Sequence, residues 1–135
     1  MSEQIVRQFI DALGGLEAER DLDGIVKLFA PDCEVGNVVS PEKFKGRDGA
    51  REFWGAKYRE TFGEVKSTFR NVFTTEKLAA LEWTTEGTAA DGSPIRYDGV
   101  SILEIEGEFI ARFRAYFDAG SLGRQLMEKG QEASA

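Results

Sequence analysis

Residues 99–118, GVSILEIEGEFIARFRAYFD, alternate apolar and polar side chains on both sides of a Glu-Gly-Glu turn. A period of two is the mark of a half-buried strand, and a glycine between two such runs marks a hairpin. In the second run Phe109, Ala111, Phe113, Ala115 and Phe117 fall on one face, and Ile110, Arg112, Arg114 and Tyr116 on the other. In the strand before it, Ile95, Tyr97, Gly99, Ser101, Leu103 and Ile105 share a face. Two apolar rows side by side predict an antiparallel sheet that covers a core with one face. The opposite face is mixed and carries Val100, Ile102, Tyr116 and, in one reading, Trp83. A face with that much apolar surface is often covered by a second subunit, so a homodimer through the outer face is expected.

Upstream the same period persists back to Glu64. It predicts strands at Val65–Thr74, Leu78–Ala89, Ile95–Glu106 and Phe109–Asp118, separated by TTEK, ADGSP and EGE. Before Glu64 the spacing is helical. Ile5, Val6, Phe9, Ile10 and Leu13 define a first helix, which Gly14 and Gly15 are expected to end or kink. A second helix is expected from about Asp21, with Asp21 or Asp23 as its cap. It buries Leu22, Ile25, Val26, Leu28 and Phe29, and Pro31 stops it. A short strand at Glu34–Val38, a loop through Pro41 and Gly46, and a third helix at Asp48–Thr61 follow. The third helix buries Ala50, Phe53, Trp54, Tyr58 and Phe62. A short helix at GSLGRQLMEKG closes the domain, and the tail QEASA is expected to fray. Helices first and a long meander afterwards predict one α+β domain over residues 1–135, with its core at about 5–126.

Composition narrows the function. The chain has 135 residues, a net charge of −7 and no histidine. The charge argues against nucleic acid or an anionic membrane as partner. The lack of histidine removes Ser-His-Asp triads, histidine general bases and histidine metal ligands together. Cys33 is alone, so neither an intrachain disulfide nor a cysteine zinc site is expected, and it reads as a buried, inert thiol. No phosphate-cradling, dinucleotide or calcium-loop motif occurs, and no cofactor or metal is implied. Without a secretion signal or an apolar run of the roughly 18 residues a membrane helix needs, a cytoplasmic location is expected.

The phrases DLDGIVKLFAPDCEV, KGRDGAREFW and GVSILEIEGEFIARFRAYFD resemble the SnoaL-like branch of the nuclear transport factor 2-like superfamily, which includes ketosteroid isomerase-like proteins. The resemblance runs from about Ile5 to Leu126. It implies three helices packed on a strongly curved antiparallel sheet, a cystatin-like cone with an internal pocket and a common outer-face dimer. Such folds serve isomerases, epoxide hydrolases, cyclases and proteins without known activity, so the site residues must decide.

They decide against the family's usual chemistries. The general-base aspartate of ketosteroid isomerases falls at Asn37, which cannot shuttle a proton. Their oxyanion-hole donors fall near Phe9 and Ser101; phenylalanine cannot donate, although serine can. The Arg and two Asp of limonene-epoxide hydrolases fall at Glu82, Thr84 and Ala115, and their helper tyrosine at Val35; only their helper asparagine is kept, at Asn37. Arg96 and Asp98 have a tempting spacing of two, but parity puts them on the outer face. Asp118, the nearest late acid for a cyclase, is placed to cap the last helix.

The alignment that the resemblance implies turns Glu82 inward with Thr84 beside it, although the apolar neighbours Leu81 and Trp83 point the other way. An inward Glu82 would be a general base or acid in an apolar pocket, its pKa raised by burial. Asn37, Thr84, Tyr97, Ser101, Trp54, Tyr58, Phe113 and Ala115 are the expected ligand-binding residues around it. The function so implied is binding of a small hydrophobic molecule, with isomerase or cyclase chemistry by proton transfer through Glu82. The alternative is a non-catalytic ligand-binding or dimeric interaction domain.

Overall fold

The computed structural model describes residues 2–39 and 44–125. The expected end of the C-terminal helix, the frayed tail and Pro41 lie outside the described residues.

The first helix, α1 (Ser2–Glu19), runs straight through Gly14 and Gly15. Each glycine costs roughly 1 kcal/mol of helix propensity, but Leu13, Leu16 and Glu17 beyond and before them are buried and hold the helix to its end. It stops at Arg20, whose left-handed backbone (φ 59°) turns the chain. The second helix, α2 (Leu22–Val26), is capped by Asp21, whose carboxylate accepts from the Gly24 N–H at 3.1 Å.

Phe29 is buried as expected, but the predicted placement of Leu28 and Phe29 in α2 is corrected here. Strand β1 (Phe29–Asn37) already begins at Phe29, because Pro31 drives Ala30 into extended backbone and denies the helix another N–H. The chain continues into β2 (Phe44–Lys45) and α3 (Gly46–Glu52). The third helix then widens into a π-helical turn at Phe53–Tyr58 and tightens into a 3₁₀ turn at Arg59–Thr61. The widened turn spreads Phe53, Trp54 and Tyr58 over the sheet.

Strands β3 (Phe62–Thr74), β4 (Leu78–Ala89), β5 (Pro94–Glu106) and β6 (Phe109–Phe117) match the predicted meander to within a few residues. The six strands form one sheet in the order β2-β1-β6-β5-β4-β3. All neighbours are antiparallel except β1 and β6, which run parallel with Val35 opposite Phe113. Irregularities between Phe62 and Val65 and between Phe69 and Asn71 bend β3, and the sheet curls over the helices.

A third irregularity changes the face assignment of β6. Glu104 pairs with Arg112 and Ile105 with Ile110, which leaves Ala111 without a counterpart. Ile110 is thereby fully buried, whereas Phe109, expected inside, is exposed. The inner row is Ile110, Phe113, Ala115 and the half-buried Phe117. On β5 the expected row is buried as read, from Ile95 and Tyr97 through Ser101, Leu103 and Ile105.

On β4 the buried row is Ala79, Leu81, Trp83, Thr85 and Ala89. Trp83 therefore faces the core, not the outer face. Its indole lies across Gly99 on β5, where a Cβ would sit 2.5 Å from the ring and 2.6 Å from the Tyr116 carbonyl oxygen. The Gly99→Ala variant should push the indole out of place and lose about 1–3 kcal/mol of stability, read as a fall in the urea midpoint with m unchanged.

Candidate functional site

The helices roof the inner face of the sheet incompletely. Between them lies a cavity of about 250 Å³, at the small end of ligand-binding pockets. Its floor is Phe113, Ala115 and Phe117 of β6 and Trp83 of β4; its roof is Phe9 and Leu13 of α1 and Phe53, Trp54 and Tyr58 of the third helix. The rings interlock, mostly edge to face, with Phe9 tilted at 37° to Phe113. Phe113 lies 4.9 Å from Trp54 and 5.6 Å from Phe9, and Tyr97 lies 5.4 Å from Trp83 and 5.3 Å from Phe117, measured between ring centres.

Of the expected binding residues, Asn37, Tyr97, Ser101, Trp54, Tyr58, Phe113 and Ala115 all line this cavity. Asn37 stands at the end of β1, where its Oδ1 accepts from the Val39 N–H at 3.0 Å and closes a turn at the rim.

Glu82 and Thr84 do not reach it, and their expected inward orientation is corrected. With Trp83 inside, both neighbours point outward by the pleat of the strand. Glu82 accepts from Asn71 Nδ2 at 2.6 Å and lies 3.6 Å from the Arg70 guanidinium. Thr84 is buried beneath Arg70, to which it is hydrogen-bonded, and donates to Asp98 Oδ1 at 2.6 Å. That bond, with the Arg70 and Arg96 charges, holds Asp98 below the ordinary carboxylate pKa. Arg96 and Asp98 are outer-face residues as read, although Arg96 pairs with Glu86 at 3.7 Å. Asp118 caps the last helical turn through the Ser121 N–H at 2.9 Å.

Sequence reading missed the polar wall of the cavity. Glu17, near the end of α1, is buried, and three donors converge on its carboxylate. Tyr58 Oη and Ser67 Oγ each donate to Oε2 at 2.6 Å, and the Ser67 N–H donates to Oε1 at 2.9 Å. Ser67 Oγ is also 2.7 Å from Thr85 Oγ1. Tyr58, Ser67 and Thr85 line the cavity, with Glu17 behind them. A second polar point lies on β5, where Trp83 Nε1 donates to Ser101 Oγ at 2.9 Å.

Burial, and next the nearby Glu17 charge, push the Tyr58 phenol well above its ordinary pKa. The same two causes raise Tyr97, which Thr85 partly offsets. Both phenols are therefore neutral hydrogen-bonding groups at physiological pH. Their raised values fix the sign of an alkaline effect. Above about pH 10 the unfolded tyrosines lose protons that the folded ones keep, so the unfolded state is favoured. Stability should be constant below that point with respect to these groups. Above it, stability should fall by about 1.4 kcal/mol per pH unit for each tyrosine. Tyr97→Phe should reduce the slope by one proton, as measured by urea unfolding between pH 9 and 12.

Among the described residues no group of His, Cys, Asp and Glu could hold a metal ion, and no helix is long and apolar enough to cross a membrane.

The same architecture occurs in solved structures. An NTF2-like protein from Anabaena variabilis superposes with a TM-score of 0.79 at 17% identity, over 89% of this chain and 91% of that one. A protein with the ketosteroid isomerase-like fold from Catenulispora acidiphila, in complex with trimethylamine, gives 0.77 at 20%, over 90% and 91%. An LEH-like epoxide hydrolase from M. tuberculosis gives 0.70 at 16%, over 93% and 88%. At these identities the likeness is one of fold. A search of curated proteins finds no match. The SnoaL-like domain profile, however, matches residues 6–113. The curled sheet, the three helices and that match across most of the sequence make this chain a member of the SnoaL-like domain family, with the fold of the NTF2-like protein above.

Proposed function

We propose that this chain binds a small, predominantly apolar molecule in the cavity between α1, the third helix and the sheet, without turning it over by acid–base chemistry. The observation that carries this reading is the composition of the walls. Apolar rings surround the space, and a few ordered hydroxyls interrupt them. The isomerase or cyclase reading depended on Glu82 as a pocket carboxylate, and Glu82 lies on the opposite face. Among the described residues that line the cavity, Lys57, Tyr58 and Tyr97 are ionisable and none carries a carboxyl group. The trimethylamine held by the Catenulispora neighbour supports small-molecule uptake by this fold.

The two tryptophans of the chain, Trp54 and Trp83, both line the cavity, so their fluorescence is a direct reporter. Titration with naphthalene, acetophenone and 2-acetylnaphthalene should give saturable quenching. Ala115→Phe, which fills the floor, should abolish it while the far-ultraviolet circular dichroism stays unchanged. Linear, non-saturating responses to all three probes would refute the reading.

A second reading concerns the outer face. Val100 and Ile102, half-buried, and Tyr116, which is exposed, form a strip across β5 and β6, with Val100 directly opposite Tyr116. This strip supports self-association through that face. Sedimentation equilibrium should give a dimer that Tyr116→Lys shifts to monomer; a monomer for the unaltered chain would sink it.

A further inference from the structure

The hydrogen-bond directions around the cavity select a ligand chemistry. Tyr58 has one proton and gives it to Glu17. Ser67 has one hydroxyl proton and gives it to the same carboxylate oxygen. The 2.7 Å contact between Ser67 and Thr85 must then be donated by Thr85. Thr85 also hydrogen-bonds the Tyr97 phenol, and with its own proton spent on Ser67 it accepts from Tyr97. Four hydroxyls in the wall thus have their protons turned toward Glu17, and the acceptor capacity left facing the cavity is that of the two phenol oxygens. The cavity end beside Tyr58 and Tyr97 therefore presents acceptors.

Ser101 is the reverse case. An indole N–H can only donate, so Ser101 Oγ accepts from Trp83 Nε1. Among the described residues the Ser101 hydroxyl proton is engaged by no other side chain. The cavity therefore presents a donor at Ser101. Thr85 lies opposite Tyr97 in the β4–β5 register, and Ser101 is four residues further along β5. At about 3.3 Å per residue the two poles are separated by about 13 Å of strand, with the Trp83 ring lying between them.

We propose that the ligand is a one- or two-ring apolar molecule with a hydroxyl or N–H group at one end and a carbonyl-type acceptor at the other. The donor end binds at Tyr58 and Tyr97, the rings lie along Trp83, and the acceptor end takes the Ser101 proton. This rests on the binding reading above and adds polarity to it. Glu17 does not touch the ligand. It is a positioning residue that sets the direction of the whole hydroxyl chain.

The test uses 6-hydroxy-2-acetylnaphthalene, its methyl ether, 2-acetylnaphthalene, 2-naphthol and naphthalene, with 4-hydroxyacetophenone and acetophenone as the one-ring pair. Dissociation constants come from tryptophan quenching and from calorimetry. In the preferred ring size the hydroxy ketone should bind about tenfold tighter than the compound without its hydroxyl, because the analogue leaves buried acceptors unpaired. For the two-ring set the methyl ether and 2-naphthol should show the same deficit. Glu17→Gln should reverse the preference. Its amide N–H groups would donate to Tyr58 and Ser67, reversing the chain so that Ser67 donates to Thr85, Thr85 to Tyr97, and the Tyr97 and Tyr58 protons face the cavity, so the methyl ether should become the better ligand. A loss of fold would not mimic that inversion. Equal binding of all seven compounds would overturn the polarity and leave the apolar-pocket reading standing. Saturable binding by none of them would overturn both.

Discussion

Replacing Phe113 with alanine should lower the free energy of unfolding by about 3–5 kcal/mol, the range found for aromatic truncations in packed cores. Phe113 is 3% exposed and makes ring contacts with Phe9, Phe29, Phe53 and Trp54 at centre distances between 4.9 and 6.4 Å. Those partners come from α1, β1 and the third helix, so one side chain joins the roof to the floor. The collapse needed to fill the vacated space would have to move three elements together, which places the cost toward the upper part of the range. For a domain of this size each kcal/mol corresponds to roughly 3–5 °C of melting temperature, and a fall of at least 10 °C is expected. The vacated space adjoins the existing cavity, so a saturating apolar ligand such as benzene should restore part of the loss by binding the folded state. A fall below about 1 kcal/mol would show that the aromatic cluster is not the joint between the layers.

Arg59→Met is expected to be as damaging, for a different reason. The Arg59 guanidinium is buried and donates to three backbone carbonyls: Leu16 at 3.2 Å, Phe62 at 3.0 Å and Gly63 at 3.2 Å. One acceptor lies near the end of α1 and two lie at the start of β3, so the planar fork ties a helix end to the sheet. Methionine keeps the stem and removes every donor. The Leu16 carbonyl keeps the Arg20 N–H at 3.0 Å; each of the other two costs about 1–3 kcal/mol when its donor is removed, partly relieved by water, for a net loss of about 2–5 kcal/mol. Arg59→Lys should recover less than half, because an ammonium cannot span three acceptors in one plane. Urea unfolding of the three proteins orders them as wild type, lysine, methionine; equal stability of the lysine variant and wild type would refute the role of the fork.

Much of the sheet was legible because its signals are local. Turn residues bracket each strand and the alternation within β5 survives intact. What escaped depends on partners far away in sequence. The extra residue at Ala111 is decided by the register against Glu104 and Ile105, and it exchanged the expected positions of Phe109 and Ile110. For Glu82 two signals disagreed. Leu81 and Trp83 pointed inward by their own hydrophobicity, and they are buried. The family alignment pointed the other way. Following it put Glu82 and Thr84 in the pocket and hid Thr85, the polar residue that lines it.

Glu17 was hidden by the glycines. Phe9, Leu13 and Glu17 are spaced by four and continue one stripe, but ending the helix at Gly14 removed Glu17 from that face. A charged residue that extends an apolar stripe by one further turn is the sign that would have found it. Seven of the eight expected binding residues do line the cavity, because aromatic residues at helical spacing and inward positions on a strand report on the same interior.

The parallel pairing of β1 with β6 also orders events in time. Glu34 and Arg112 meet across 78 positions of chain, and bringing such distant segments together carries a large entropy of loop closure. The successive hairpins of the meander need only short closures and assemble first. On a ribosome the first strand must wait, with one edge unsatisfied, until β6 has emerged. Nascent chains arrested before the final strand should therefore be the species that chaperones hold and that proteases cut.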